Sequence, residues 1–377
     1  MRIVKALLYR LAIPFRLRVS HSLARRSEAE AVILALQDES GQYGYGEGTP
    51  RHYVTGETLE GCLGAAEELG RQIVSRGRIE TFGELLTVLR RLGEQSLFAE
   101  HPSAFCAGEI ACLDLWGRLT GTPLAALFDP SCSTAPVTYS AVLPQVTADV
   151  YEQLLELTAR HTMEYVKIKV GTNDDLARIK RARERLGATV DIRLDANGAF
   201  DVAGALVLLH GAARHRISAI EQPVPKDDIE GLREVAQGDG ALVIADESMC
   251  TRQDAERLIA SDACGGFSVR LAKCGGFVKS REIIQLAASH GIAVQIGCHV
   301  GETAILSAAG RHLAALCPGY RYLEGALSRF VLEEDISTTA VEFGAGGRAP
   351  FLPGPGLGID IDPERFARHA IPVASLH

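Results

Sequence analysis

Hydrophobic and polar positions fall into two regimes along the chain. From Pro136 onward, short apolar runs recur, most of them ending at or near an ionisable residue. They are VTYSAVL (137–143), YVKIK (165–169), DIRLD (191–195), SAIEQP (218–223), LVIADES (242–248), FSVRLAK (267–273), AVQIGCH (293–299) and YRYLEGA (320–326). Between them apolar positions take the 3.6-residue helical period. Leu176, Ile179 and Leu186 share a face in DDLARIKRARERLG, and Ile283, Leu286 and Ala287 share one in VKSREIIQLAASHG, which stops at Gly291. Eight strands alternating with helices predict a parallel barrel of the (β/α)8 type over residues 126–340. A last strand running directly into the tail leaves one helix fewer, (β/α)7β.

Residues 1–125 follow another pattern. Two strand-like stretches, IVKALLYRLA and EAVILALQ, precede a loop punctuated by Gly41, Gly44, Gly46 and Gly48. Helical patterns follow at about 57–75, 80–92 and 103–120, the last stopping at Gly121 and Pro123. Strands and then helices predict an α+β module. The segment 341–377 is rich in Gly and Pro (FGAGGRAPFLPGPGLGIDID) and is expected to pack back on that module as a loop. Its GPGLG neither follows a clear strand nor opens a helix, which argues against dinucleotide binding.

Composition narrows the function classes. Lys plus Arg number 39 against 47 Asp plus Glu, a formal charge of −8, so there is no nucleic-acid footprint. No run approaches the roughly 20 apolar residues of a membrane span. The N-terminal stretch is broken by Lys5 and Arg10 and lacks a signal-peptide pattern. Nine cysteines with no CxxC pair point to reduced thiols and a cytoplasmic setting. Cys250, Cys274 and Cys298 lie near strand ends but read as small buried thiols.

The chemistry lies in a ladder. Lys169, Asp195, Glu221, Asp246 and Lys273 stand 26, 26, 25 and 27 residues apart, about one strand plus one return helix. Strand ends of such a barrel face one site. Three carboxylates brought together repel each other unless a cation shares the pocket. With no His or Cys at ligand spacing, Asp195, Glu221 and Asp246 suit Mg²⁺, with Mn²⁺ as the near substitute. Lys169 and Lys273 flank the carboxylate strands and can serve as two proton-transfer bases, their pKa lowered by neighbouring positive charge. Lys167 points the same way as Lys169, two residues on, and adds positive charge. Asn197, Glu247 and Glu324 are candidate contacts around these groups. His299, at the end of strand seven, reads first as a hydrogen-bonded structural residue. Arg25 and Arg26, in the loop SHSLARRSE (20–28), would lie over the pocket.

KIK (167–169), DAN (195–197), EQP (221–223), DES (246–248) and Lys273 in KCGG together resemble the enolase superfamily, in its muconate lactonizing subgroup. GYGEG with VTGET resembles the substrate-capping module, and PGPGLGIDID the closing segment. The resemblance implies an N-terminal α+β capping domain, completed by the C-terminal tail, on a (β/α)7β barrel. It also implies abstraction of the proton α to a carboxylate with enolate stabilisation by the metal. Racemisation or epimerisation of an amino-acid derivative is the expected outcome. Muconate-type cycloisomerisation and dehydration of a hydroxy acid are the alternatives. Strand eight reads LEGALS, without the DxD with which dipeptide epimerases hold an amino group, so an N-substituted amino acid is favoured. The expected partner is a small-molecule carboxylate, and the assembly a homo-oligomer. Two rivals from other classes are a Schiff-base aldolase using a barrel lysine and a barrel retained for binding alone.

Overall fold

The computed structural model describes residues 1–21, 24–238 and 240–377, and the side chains of residues 17–26 lie outside that description. Arg25 and Arg26 are therefore placed by backbone only. Within the segment 20–28 the described residues belong to paired strands: Ser20 pairs with Arg25, and Val19 with Arg26.

The first strands are β1 (Ile3–His21) and β2 (Ala24–Asp38). A third strand, β3 (Tyr43–Gly48), occupies the stretch that the glycines marked as a loop. The reason lies some 60 residues on. Helices α1 (Leu59–Val74), α2 (Phe82–Gly93) and α3 (Pro102–Thr120) follow, and α3 lies directly on β3. A Cβ on Gly44 would overlap the carbonyl of Ala111, one on Gly46 that of Ala107, and one on Gly48 that of Ser103. Alternate glycines on one face of a strand thus admit a helix backbone at close range, a use distinct from turn formation. Gly46→Ala is expected to cost about 3 kcal/mol or more in denaturant unfolding, the cost of an overpacked site. A loss under about 0.5 kcal/mol, the scale of a neutral surface change, would mean that α3 can move away.

The barrel runs β4 (Ala141–Leu143), α4 (Ala148–Arg160), β5 (Tyr165–Lys169), α5 (Asp175–Leu186), β6 (Asp191–Asp195), α6 (Val202–Ala212), β7 (Ile217–Glu221), α7 (Ile229–Gln237), β8 (Leu242–Ala245), α8 (Arg252–Ala260), β9 (Gly266–Val269), α9 (Phe277–Ser289), β10 (Ala293–Ile296), α10 (Ala304–Leu316) and β11 (Tyr322–Leu323). Each strand pairs in parallel with the next. A 2.8 Å bond from Ser140 N to Leu323 O joins the first edge to the last. Eight strands with seven intervening helices make the (β/α)7β barrel expected from the sequence. The first predicted strand is divided, because Val137–Thr138 pairs antiparallel with Arg348–Ala349 of the tail. Strand β9 ends at Val269, so Lys273 stands on the following turn rather than on the strand.

The tail is not only a loop. Leu357 N donates to Asp114 at 2.8 Å and Leu124 N to Gly356 O at 2.7 Å, which tie it to α3 and to the short helix Leu124–Phe128 after it. It ends in α11 (Pro363–His369) and β12 (Ala370–Leu376). Pro363 at the first helical position and the Asp362 side chain, accepting from Glu364 N and Arg365 N, start that helix. Strand β12 pairs antiparallel with β1, giving a four-stranded sheet in the order β12-β1-β2-β3. The α+β cap is therefore completed by the end of the chain.

Candidate active site

Register sets the carboxylates side by side. Lys169 is paired with Asp195, and Asp195 with Glu221, across three neighbouring strands. Asp246 follows the next strand, β8. All three carboxylates are fully buried. Lys169 Nζ donates to Asp195 Oδ2 at 2.7 Å and to Asn197 Oδ1 at 2.6 Å. Lys273 Nζ donates to Asp246 Oδ1 (2.8 Å), Asp246 O (2.7 Å) and Ser268 O (2.7 Å). That engages all three ammonium protons.

Lys167 lies lower in the barrel. Its Nζ is 2.9 Å from Asp195, 3.0 Å from Glu221 and 2.7 Å from Glu324. Glu324 is also held by Arg193, which lies fully buried and also donates to Gln295 Oε1 and Ser140 Oγ, each at 3.0 Å. Arg270 bridges Glu221, at 3.2 Å, and Asp246. Neither Arg193 nor Arg270 was among the residues singled out from sequence. For Arg193 a signal existed: it stands two residues before Asp195, as Lys167 stands two before Lys169, and alternate strand positions share a face.

These contacts set the ionisation. Burial alone would raise the Asp195 carboxyl, but Lys167 and Lys169 outweigh it and hold the group well below the usual range. Burial would lower the Lys273 ammonium, yet Asp246 holds it above its ordinary value. Lys167 is likewise driven up, its burial outweighed by Asp195, Glu221 and Glu324. With these ion pairs in place the lowering toward neutrality expected at Lys273 is absent, and Lys167 keeps the positive charge expected of it: adjacent carboxylates decide the sign. Glu247 differs. Burial, then the charge of Asp246, pushes it up to about 8. Its Oε1 accepts from Asn197 Nδ2 at 2.9 Å, while its buried Oε2 has no partner among the described residues. His299 joins cap to barrel, its Nδ1 lying 2.9 Å from Thr49 Oγ1.

The fit to a hard divalent cation can be judged on these groups. Three buried carboxylates on successive strands, with an orphaned carboxylate oxygen on Glu247 beside them, are the donor chemistry such an ion requires. As the side chains lie, no three His, Cys, Asp or Glu among the described residues are gathered closely enough to hold an ion. Arg270 and the lysines stand between them instead. The donor set fits; Arg270 must share Glu221 and Asp246 with the ion.

Above this cluster is a cavity into which Lys167, Lys169, Asn197, Arg270, His299 and Glu324 project. Its remaining wall is largely apolar, with Leu154 and Leu157 of α4 and Phe330, Val331 and Phe343 beyond β11. Phe330 and Phe343 pack against each other at 5.5 Å. Tyr53 of the cap also lines it; Lys273, turned to Asp246, does not. No helix of the described residues is long and apolar enough to cross a membrane.

A parallel barrel with acids and lysines at its strand ends, roofed by an α+β cap, defines a class of barrel enzyme, and comparison with known proteins makes it specific. Residues 149–365 match the family described as Enolase C-terminal domain-like. The hydrophobic dipeptide epimerase of Enterococcus faecalis is 35% identical over 301 residues, 78% of this chain and 81% of that protein. A crystal structure of the Enterococcus faecalis dipeptide epimerase, complexed with Mg and the dipeptide L-Leu-L-Tyr, superposes with a TM-score of 0.86 at 30% identity, over 96% of this chain and 100% of that one. The N-succinyl Arg/Lys racemase of Bacillus cereus superposes with a TM-score of 0.87 at 25% identity, over 100% and 99%. The chain belongs to the enolase superfamily. It is an isomerase of that superfamily, akin to its racemases and epimerases.

Proposed function

We propose that this protein racemises or epimerises the α-carbon of an N-acylated amino acid with an apolar distal group, dipeptides included. The distribution of charge around the cavity carries this reading. Every Lys and Arg of the described lining, Lys167, Lys169 and Arg270, sits on the carboxylate cluster. The wall formed by Leu154, Leu157, Phe330, Val331 and Phe343 offers no counter-ion. A carboxylate therefore seats at the charged part, and an apolar group at the other. Among the described lining residues this wall carries no Lys or Arg, only His161 against Phe330, so a second carboxylate, as in a muconate, would meet no permanent cation from them. In a dipeptide the residue bearing the free carboxylate has its nitrogen acylated by the first residue, so dipeptides and N-acyl amino acids present one chemistry to this site.

Asp195, Glu221 and Asp246 would hold the Mg²⁺, with Mn²⁺ as a substitute. The ion would polarise the substrate carboxylate and stabilise enolate charge. The chain's own groups move the protons. One of Lys169 and Lys273, neutral, takes the α-proton; the C–H electron pair passes into the carboxylate system. The other, as an ammonium, returns a proton to the opposite face. Lys273 must first release one of its three acceptors, and competition for the charge of Asp246 provides the means. Lys167 stays protonated beneath, and Asn197 orients Lys169. Glu247 lies beside the ligands, where its orphaned oxygen can accept from a bound water. Glu324 and His299 shape the wall.

In D₂O with Mg²⁺, proton NMR is expected to show loss of the α-hydrogen signal from N-acyl amino acids or dipeptides with apolar side chains. EDTA should stop it. Exchange confined to muconates or hydroxy acids would replace this reading, and exchange unaffected by EDTA would remove the metal from it.

A further inference from the structure

Buried cap residues reach into the barrel, among them Glu47, Thr49 and Glu109, and Glu109 meets the segment that carries Lys273. Glu109, on α3, is 2% exposed. Its Oε2 accepts the amide N–H of Phe277 and, at 3.3 Å, that of Val278. These are the first two residues of α9, whose preceding residue, Gly276, offers no side-chain cap. A helix start leaves such amides without intrahelical partners, and a carboxylate satisfies them with favourable charge. Here that carboxylate comes from the other domain.

The connection to Lys273 is short. Gly275 and Gly276 both adopt positive φ, 75° and 104°, and a Cβ on Gly276 would collide with the Glu109 carboxylate. Cys274 N bonds to Arg270 O at 2.9 Å and Gly276 N to Leu271 O at 2.8 Å. Residues 270–276 are thus one tight turn, closed at its far end by Glu109. Lys273 sits at its centre, whereas Lys169 stands on strand β5.

Resting on the reaction proposed above, we infer that Glu109 is a positioning residue for Lys273, so that the cap fixes the placement of one of the two bases. Burial pushes Glu109 up to about 7, and the charges facing it are Lys279 and Glu282. The inference stands on the contacts, which either protonation state can make through one oxygen.

The test uses the whole protein with Mg²⁺ and follows α-hydrogen exchange separately from each stereoisomer of one substrate. Lys273→Met identifies the stereoisomer that Lys273 deprotonates. Glu109→Ala is expected to slow exchange of that same stereoisomer about tenfold, the scale of a small misplacement of a catalytic group, and to leave the other within about twofold. Glu109→Gln, which keeps an acceptor oxygen, should restore most of the loss. Amide hydrogen exchange should rise in residues 270–280 of Glu109→Ala. Equal slowing of both stereoisomers would overturn the inference, as would no rescue by Gln. If the wild-type protein exchanges no substrate, the reaction fails as a reading, and the amide measurement decides alone. Unchanged protection of 270–280 would then overturn the link between Glu109 and the Lys273 turn.

Discussion

Lys273→Met is expected to lower racemisation about a thousandfold, within the range set by a general acid–base group, while exchange of one stereoisomer with solvent continues. In the two-base arrangement each lysine serves one face of the α-carbon. Without Lys273, Lys169 can still remove and return a proton on its own face, so deuterium enters one stereoisomer without inversion. Lys169→Met should show the reverse pattern. Met is chosen because it nearly conserves volume at a residue only 1% exposed. Lost folding or lost ion affinity would suppress both exchanges together, so opposite preferences in the two variants isolate the chemistry. Loss of both exchanges in both variants, with folding and ion affinity intact, would mean that the lysines act as one unit, and the two-base scheme would fall.

Arg193→Met is expected to cost about 3–5 kcal/mol in denaturant unfolding, the scale for breaking a buried ion pair on one side. Arg193 holds Glu324, just beyond β11, and donates to Gln295 on β10 and to Ser140, just before β4, and its guanidinium lies 4.4 Å from the centre of the Tyr322 ring. Its loss leaves Glu324 with Lys167 as its remaining buried cation. Adding Glu324→Gln should recover part of the loss, because the uncompensated charge goes with it. A single-variant cost under about 1 kcal/mol, typical of a generic point substitution, would show that water or Lys167 already meets the need of Glu324.

Legibility in the sequence followed the range of the forces. The ladder from Lys169 to Asp246 was readable because strand plus helix has a nearly fixed length and each ionisable residue marks a strand end. Lys167 was readable from the two-residue strand period; the same rule applied to Arg193 would have found it. Arg270 was hidden because its strand ends one residue earlier, at Val269, and the turn beyond is shaped by Glu109, about 160 residues before it. Strand β3 was misread because its glycines answer to the backbone of α3, which no local pattern reports. The last helix and strand were lost behind a stretch rich in Gly and Pro, although Asp362 and Pro363 are ordinary start signals. The lysine ionisation depended on which carboxylate oxygens each ammonium reaches, and spacing does not carry that.

The pairing of Ala6 with Leu376 has a consequence for how this protein is made. On the ribosome β1 waits without its outer neighbour until residues 370–376 have emerged. The barrel strands, whose partners arrive in sequence, can associate long before that. An unpaired strand edge invites association with other chains. The interval between emergence of β1 and of β12 is therefore when a nascent chain is most exposed to misassembly, and shortening β12 would extend that hazard into the finished molecule.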